Sequence, residues 1–551
     1  MKFFPKLNDE NWIKSIFLYL TIGTALVLVF PYLDMQTALS QGDHGRDLYA
    51  FDRILHGERP YKDFWWVYGP LMPYYYAAFF KAFGVNIMSV ILGKLVLAVV
   101  NAVVFYLILI VFAPPALAFL AAIYYLAAQN DFFFTYNHIG GLTFMLLLVL
   151  SSAHYLTSKN PRWLYAGLAV IVLLALVKLN FGVVSLLAIT LLVFTTDKLQ
   201  PTSVNRLKFY ITALVLTPLI IVAAYLFFLS GLSVPEIRQC LPFLPGDQPH
   251  EFPLMQTVSQ LLEYLRRTMF GSGSNRIMTV FVFGGMFYVI KDIRAKALDR
   301  KIPAALMIFM AFVAGYAVLN LHEFLRSNIW YRLGWAQPPF YLAVFLLIAV
   351  LWKRISPLIE KFLYAVLVLV CFSQGFLYFN RACAVKIGNG IYADIKTPEH
   401  YLNHPRGKVY LTYHNSPDWI STVTAAAEIL DTIVKDDETF FALPYDPLYY
   451  YLTGRKSPTR QTIFFEHIHI PETQERGIIA ELENNRTNWI LLSSRVVSAE
   501  YGLGKFGTTY CPVLADYIYR NFHVVGELGN WTDGPGWTDP HGVRILKRDQ
   551  K

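Results

Sequence analysis

The sequence predicts an α-helical polytopic membrane protein of about eleven transmembrane helices, followed by a soluble α/β domain at the C-terminal end. Three observations carry this expectation. Hydrophobic residues make up 55% of the 551 and aromatics 16%, whereas Asp, Glu, Lys and Arg make up only 15%, against about 25% in soluble globular chains. The apolar residues gather into long runs with short polar breaks, and roughly 20 such residues cross about 30 Å of hydrocarbon. Beyond residue 380 the composition turns polar. The apolar content excludes a disordered chain and argues against a purely soluble enzyme.

Candidate spans lie near 12–33, 89–112, 116–129, 139–156, 163–178, 181–196, 209–230, 277–290, 302–320, 337–352 and 362–379. Pro114-Pro115 turns one run into a hairpin, and Lys178-Leu179-Asn180 interrupts another. Short connections carrying Lys and Arg mark the cytoplasmic side. With Lys2, Lys6 and Lys14 inside, the other inside connections hold Lys159 and Arg162, then Lys198 to Lys208, Lys291 to Lys301, and Lys353 to Lys361. Segments 34–88, 231–276 and 321–336 then lie outside, with everything after about 380. The expected localisation is multi-pass in the plasma or inner membrane, with the N-terminus cytoplasmic and the C-terminal domain periplasmic or extracellular. Most of the net charge of +9 follows from this topology. No basic stripe interleaved with aromatics marks a nucleic-acid partner.

The division expected is therefore 1–380 for the membrane domain and 381–551 for the outer domain. In the latter, Lys408–Tyr413, Thr439–Leu443, Trp489–Leu492, His523–Leu528 and Val543–Leu546 read as buried strands. Ile420–Lys435 and Thr473–Asn485 have helical spacing. Alternating β and α suggests a partly parallel sheet. None of the four cysteines shows CxxC spacing, and Cys383 with Cys511 stands as either a pair or two free thiols.

The chemistry concentrates in Gln41–Gly84, directly after the first span. It opens with Asp43, His44, Gly45, Arg46 and Asp47, and Asp47 to Leu55 has helical spacing. An aromatic-rich amphipathic run, Leu71 to Phe83, suits the membrane interface. Trp65, Trp66, Tyr68, Tyr74, Tyr75 and Tyr76 read as stacking platforms for a sugar or an isoprenoid or, more cheaply, as interfacial anchors. A carboxylate held there reaches the polar part of a lipid whose tail stays in the bilayer.

The acidic motif after the first span, the segment ILHGERPYKDFWWVYGPL and the run AAFFKAFG resemble the GT-C class of polytopic, lipid-sugar-dependent glycosyltransferases. That class includes the protein mannosyltransferases and the lipid A aminoarabinose transferases. Val177 to Gly182, Arg326 to Pro338 and Phe441 to Arg460 add to the resemblance, which covers most of the chain. It implies a GT-C-like membrane domain and transfer of a sugar, hexosyl or pentosyl, from a polyprenyl-phosphate donor to a protein, lipid or glycan acceptor at the outer face of the bilayer. It also implies Asp43 as the base, a role that inverting transfer requires of one carboxylate. Where the class often has Asp-Glu this chain has Asp43-His44, which leaves a divalent cation, and the metal ligands with it, undetermined.

Each candidate has a bland reading beside it. Asp43 pairs with Arg46 in the plain alternative. Asp47, one helical turn on, shares a metal, orients the acceptor, or pairs with Arg46 or Arg53. Asp131 and His138 sit in the next outer loop and, with His44 and Arg46, complete the candidate set. Lys178 is expensive in an apolar stretch and reads as a donor-phosphate ligand or as a snorkelling side chain. Arg326 and Arg332, with Tyr331, are candidate phosphate clamps, and Glu323 beside them is a competing partner. The rival classes are a transporter or flippase of lipid-linked sugars and a non-catalytic lipid-sugar-binding scaffold. The transporter reading fits the outer acidic loop less well and gives no reason for the soluble domain, and the scaffold stands as a third reading.

Overall fold

The computed structural model describes residues 9–30, 36–37, 39–128, 136–199, 205–241, 258–259, 262–263, 303–327, 330–352, 358, 361–371, 373, 397–411, 415–466, 468–497, 504–532 and 541–549. An apolar run of bilayer length has no water to satisfy its backbone, so it closes its hydrogen bonds within helices. In chain order the first half gives α1 (Asp9–Val29), the short strand β1 (Gln36–Thr37), α2 (Asp43–Leu55), α3 (Leu71–Phe83), α4 (Ile87–Leu109), α5 (Pro115–Ala128), α6 (Tyr136–Ser158), α7 (Arg162–Val177) and α8 (Leu179–Leu199). Then come α9 (Arg206–Leu229), α10 (Val234–Cys240), α11 (Ala304–Leu319), α12 (His322–Ser327), α13 (Gln337–Trp352) and α14 (Lys361–Cys371). Among the described residues seven helices are long and apolar enough to cross a membrane, and Pro115–Ala128, Arg162–Ala175 and Lys361–Cys371 are shorter apolar helices. The chain is an integral membrane protein. The expected span at 277–290 and the end of the one at 362–379 lie outside the described residues.

The helix breaks fall where the sequence puts them. Asn86 caps α4 by accepting from the Ser89 N–H at 2.9 Å. Pro115 opens α5, where its missing N–H leaves nothing unpaired. Lys178 adopts an extended backbone, φ −155°, between α7 and α8. Helix α6 packs on α4 and α7, α7 on α8, and α11 on α13. On α8 the large side chains of Val183, Leu187, Leu191 and Phe194 remain exposed along one face, as a lipid-facing helix requires.

The C-terminal part forms β2 (Tyr401–Leu402), β3 (Val409–Leu411), α15 (Pro417–Ile433), β4 (Phe440–Leu443), α16 (Leu448–Thr453), α17 (Glu472–Asn484), β5 (Trp489–Ser493), α18 (Pro512–Asn521), β6 (Phe522–Gly529) and β7 (Gly542–Arg548). The four-stranded sheet runs β4-β5-β7-β6, with β4 parallel to β5 and the other pairs antiparallel. It is the partly parallel sheet expected. Two expectations need correction. The strand at 408–413 stays out of this sheet. As β3 it pairs antiparallel with β2 and parallel with β1, which comes from the segment after α1. The strand at 523–528 is largely exposed rather than buried, because β6 is the outer strand of the sheet and has a neighbour on one side only.

The segment between α1 and α4 is built into the C-terminal domain. One hydrophobic core runs through Tyr49, Phe51, Trp66 and Tyr76 of the loop region into Trp419, Phe441, Tyr450 and Leu491. Asn415 closes the junction, accepting from Leu39 N–H at 3.0 Å and donating to the Leu39 carbonyl at 2.6 Å. Cys511 is a buried free thiol, and Cys383 lies outside the described residues.

Candidate active site

The site begins at the N-terminus of α2. The helix starts at Asp43, four residues before the point that helical spacing marked. Gly42 and Gly45 explain how it can. A side chain on Gly45 would bring its Cβ to 2.3 Å from the Leu448 nitrogen, and one on Gly42 would meet the Tyr445 ring at 2.7 Å. Bare backbone at both places lets α2 dock against the start of α16, and Leu448 N–H donates to the Gln41 carbonyl at 3.2 Å. Asp43 thus occupies the first turn, where the helix dipole favours negative charge.

Arg46 ties two carboxylates together. Its Nη1 donates to Asp43 Oδ1 at 2.9 Å, and its Nε and Nη2 donate to Asp47 Oδ1 at 3.0 and 2.9 Å. Asn137 of α6 donates to the other Asp47 oxygen at 3.2 Å. Tyr445, from the C-terminal domain, donates to Asp43 Oδ1 at 2.5 Å. Asp43 Oδ2 has no hydrogen-bond partner among the described residues, and the side chain is 38% exposed. Asp47 is fully enclosed at 0%. Partial burial opposes the Asp43 charge, but Arg46, the Tyr445 hydroxyl and His44 outweigh it and hold its pKa below the ordinary value. Burial wins at Asp47 and pushes it up to about 6 despite Arg46. Burial also opposes the charge on Arg46, yet Asp47, Tyr445, Tyr68 and Asp43 keep it protonated. At neutral pH the trio therefore carries one net negative charge, exposed at Asp43.

From this trio a series of rings leads into the helix bundle. The Arg46 guanidinium sits 4.9 Å from the Tyr68 ring centre. Tyr68 meets His138 edge-on at 6.0 Å, and His138 meets Trp335 at 4.9 Å. Trp335 stacks on Phe181 at 4.0 Å, and Lys178 Nζ lies 5.3 Å from both of those rings. Lys178 donates to Glu323 Oε1 at 3.0 Å, and Arg332 forms an ion pair with Glu323 Oε2 at 3.4 Å. Asn180 also donates to Glu323, and to His322. His138 is in electrostatic contact with both ends, with Asp43 on one side and Lys178, Glu323 and Arg332 on the other. Gly69 of the first loop anchors the arrangement by donating to the Val177 carbonyl, next to Lys178, at 2.9 Å.

Asp43, Arg46, Asp47, His138, Lys178 and Arg332 thus share one region. His44 is buried beside it, its Nδ1 taken by the Ser40 N–H at 3.0 Å and by the Ser40 hydroxyl. Arg53 pairs with Asp52 at 2.8 Å, so Arg46 alone is the partner of Asp47 among the two arginines considered. Asp131 lies outside the described residues, as do the side chains of Arg326 in α12 and Tyr331 in the 3-10 turn Trp330–Ala336. The reading of Trp65, Trp66 and Tyr76 as interfacial anchors is corrected: all three are buried in protein, and only Tyr74 of that set is exposed. Two of them spend their polar atoms inward, Trp66 Nε1 donating to the Gly69 carbonyl at 3.1 Å and the Tyr76 hydroxyl to the Tyr136 carbonyl at 2.8 Å. Sequence reasoning missed Tyr445, Asn137 and Trp335. The glycines flanking Asp43 were the available sign that other backbone closes on that turn. Among the described residues no group of three or more His, Cys, Asp or Glu side chains converges as a metal site.

The chain combines a polytopic bundle, a first loop folded into two helices and a C-terminal α/β domain packed on that loop, and this fold is GT-C-like. Two solved structures share it across nearly their whole length. ArnT from Cupriavidus metallidurans bound to undecaprenyl phosphate superposes with a TM-score of 0.53 at 12% identity, over 96% of this chain and 98% of that one. Its apo form gives the same values. No protein-family model and no curated protein matches the chain.

Proposed function

We propose that the protein transfers a sugar from a polyprenyl-phosphate donor to an acceptor hydroxyl at the outer face of the membrane, with inversion and with Asp43 as base. The observation that carries this reading is the Asp43 carboxylate. One of its oxygens is anchored by Arg46 and Tyr445, and the other has no hydrogen-bond partner among the described residues. A continuous set of rings connects it to the cations Lys178 and Arg332. The shared fold with a protein that binds undecaprenyl phosphate supports a lipid-phosphate donor.

In this mechanism Asp43 Oδ2 takes the proton of the acceptor hydroxyl as its oxygen attacks the anomeric carbon. The bond from that carbon to the phosphate oxygen breaks, and the electron pair leaves with the polyprenyl phosphate. Lys178 and Arg332 carry two positive charges against the single negative charge of Glu323, and the net positive charge steadies the departing anion. Asp47 keeps Arg46 in place rather than touching the substrate, since it has no exposed atom. The N-terminus lies in the cytoplasm, and residues 381–551 form the outer domain that meets the acceptor.

The test is release of polyprenyl phosphate from a lipid-linked sugar by purified protein in liposomes. Asp43→Asn should lower turnover roughly 100-fold or more and keep donor binding. Native turnover in that variant removes Asp43 from the mechanism. Movement of intact donor across the bilayer without a glycosyl product favours a flippase.

A further inference from the structure

We propose that Tyr445 is a positioning residue of this site, delivered by the C-terminal domain to hold one oxygen of Asp43 so that the other meets the acceptor. The inference rests on the reading of Asp43 as base. Tyr445 follows β4, and its side chain is buried. The turn carrying it is fixed from within the domain. The buried Asp446 carboxylate accepts from the Tyr445 N–H at 3.2 Å and from the Ser493 hydroxyl at 2.7 Å. It is also fixed from the loop side: Leu448 N–H reaches the Gln41 carbonyl, and Trp419 Nε1 donates to Gln41 Oε1 at 3.1 Å. Gly42 leaves the space in which the phenol ring lies. The C-terminal domain therefore grips the chain on both sides of Asp43, and Tyr445 is the residue that turns this grip into a bond with the carboxylate.

The bond has a chemical consequence. A carboxylate held by Arg46 alone is free to rotate and offer both oxygens to the fork of the guanidinium, the geometry that such pairs prefer. The Tyr445 hydroxyl on Oδ1 opposes that rotation and leaves Oδ2 for the acceptor. Burial and the charge of Asp43 keep the phenol protonated, so it remains a donor. The groups facing Asp43 are His44, Arg46 and Asp47 from its own helix, His138 from α6 and Tyr445 from the C-terminal domain, with Tyr68 next to Arg46. Among these, Tyr445 and Arg46 are its hydrogen-bond donors.

The experiment compares Tyr445→Phe, Gly42→Ala and Asp43→Asn in the full-length protein in liposomes. Tyr445→Phe should lower kcat roughly tenfold, as loss of a hydrogen bond to a charged group predicts. It should leave the donor KM unchanged and move the acid limb of kcat to higher pH, because the ionised form of Asp43 loses a donor. Gly42→Ala keeps the hydroxyl but displaces the ring, and should reproduce the loss. If Tyr445→Phe retains native kcat and its pH limb while Asp43→Asn is inactive, Tyr445 is silent and only this inference falls. A loss of kcat that follows thermal destabilisation and donor release, with the limb unmoved, makes the residue structural and also overturns it. Full activity of Asp43→Asn removes both the inference and the reading beneath it.

Discussion

Replacing Arg46 by methionine removes the one cation between two carboxylates and makes the electrostatics of the site measurable. Asp43 is partly exposed and stays hydrated without its partner. Asp47 has no exposed atom and cannot. In the native protein Asp47 is raised from 3.8 to about 6. A group raised on folding contributes its stability fully below 3.8 and loses it as pH climbs through about 6. At 1.36 kcal/mol per unit, the native fold gives up about 3 kcal/mol at Asp47 by neutral pH. In Arg46→Met the Asp47 pKa rises further, and the residue stays protonated through neutral pH. The variant then continues to lose stability above pH 6, where the native protein has levelled off. The difference is slight at pH 6 and widens steadily through pH 7 and pH 8. Thermal unfolding in detergent at the three pH values reads this as a widening gap in Tm. Adding Asp47→Asn removes the titrating group and should close the pH-dependent part of the gap. A gap equal at pH 6 and pH 8, or one that persists unchanged in the double variant, refutes the burial argument for Asp47.

Two further outcomes follow from the same geometry. Gly45→Ala sets a methyl group 2.3 Å from the main-chain nitrogen of Leu448. Main chain cannot turn aside as a side-chain tip can, so the contact between α2 and α16 should loosen at a cost of about 1–3 kcal/mol or more. Limited proteolysis should then release a C-terminal fragment that the native protein protects, and an unchanged digestion pattern would contradict the docking. At the other end, Arg332→Gln should weaken inhibition by added polyprenyl phosphate roughly tenfold, whereas Glu323→Gln should strengthen it by freeing the cations it now holds. Equal inhibition constants in the two variants would move the leaving phosphate away from Lys178 and Arg332.

What the sequence could convey was set by distance along the chain. The helices and their breaks are local matters. Pro115, Asn86 and the polar Lys178 each act within a turn or two of their own position. The spacing of Asp43, Arg46 and Asp47 belongs to the same class, and their mutual bonds span three residues at most. Partners that arrive from afar leave no such trace. β1 is two residues long, too short for any periodicity, and it finds β3 only through pairing with Tyr410 and Leu411. Glu323 reaches Lys178 and Arg332 together only once α7, α12 and the turn before α13 share one end of the bundle. The aromatics of the first loop failed for another reason. Trp and Tyr are amphipathic, and the same side chains serve at a bilayer interface or in a protein core. The choice was made here by Gly69 and Tyr136, whose carbonyls receive their polar tips inside the fold.

Tyr445 joins both difficulties, since its bond to Asp43 spans 402 residues and nothing within its tyrosine-rich segment singles it out from its neighbours. Yet the space it needs is written beside Asp43, in the two glycines of Gly42-Asp43-His44-Gly45. A helix N-terminus gains nothing from a glycine at its third position, where alanine would be worth about 1 kcal/mol. That stability is forgone because a backbone 400 residues away must come within contact of this turn. The glycines state that something approaches, and only the folded chain states what. If that approach serves the chemistry, both glycines matter for turnover, and Gly42→Ala should lower kcat even where the fold survives it. If it serves stability alone, Gly42→Ala should leave the kcat of the folded fraction untouched.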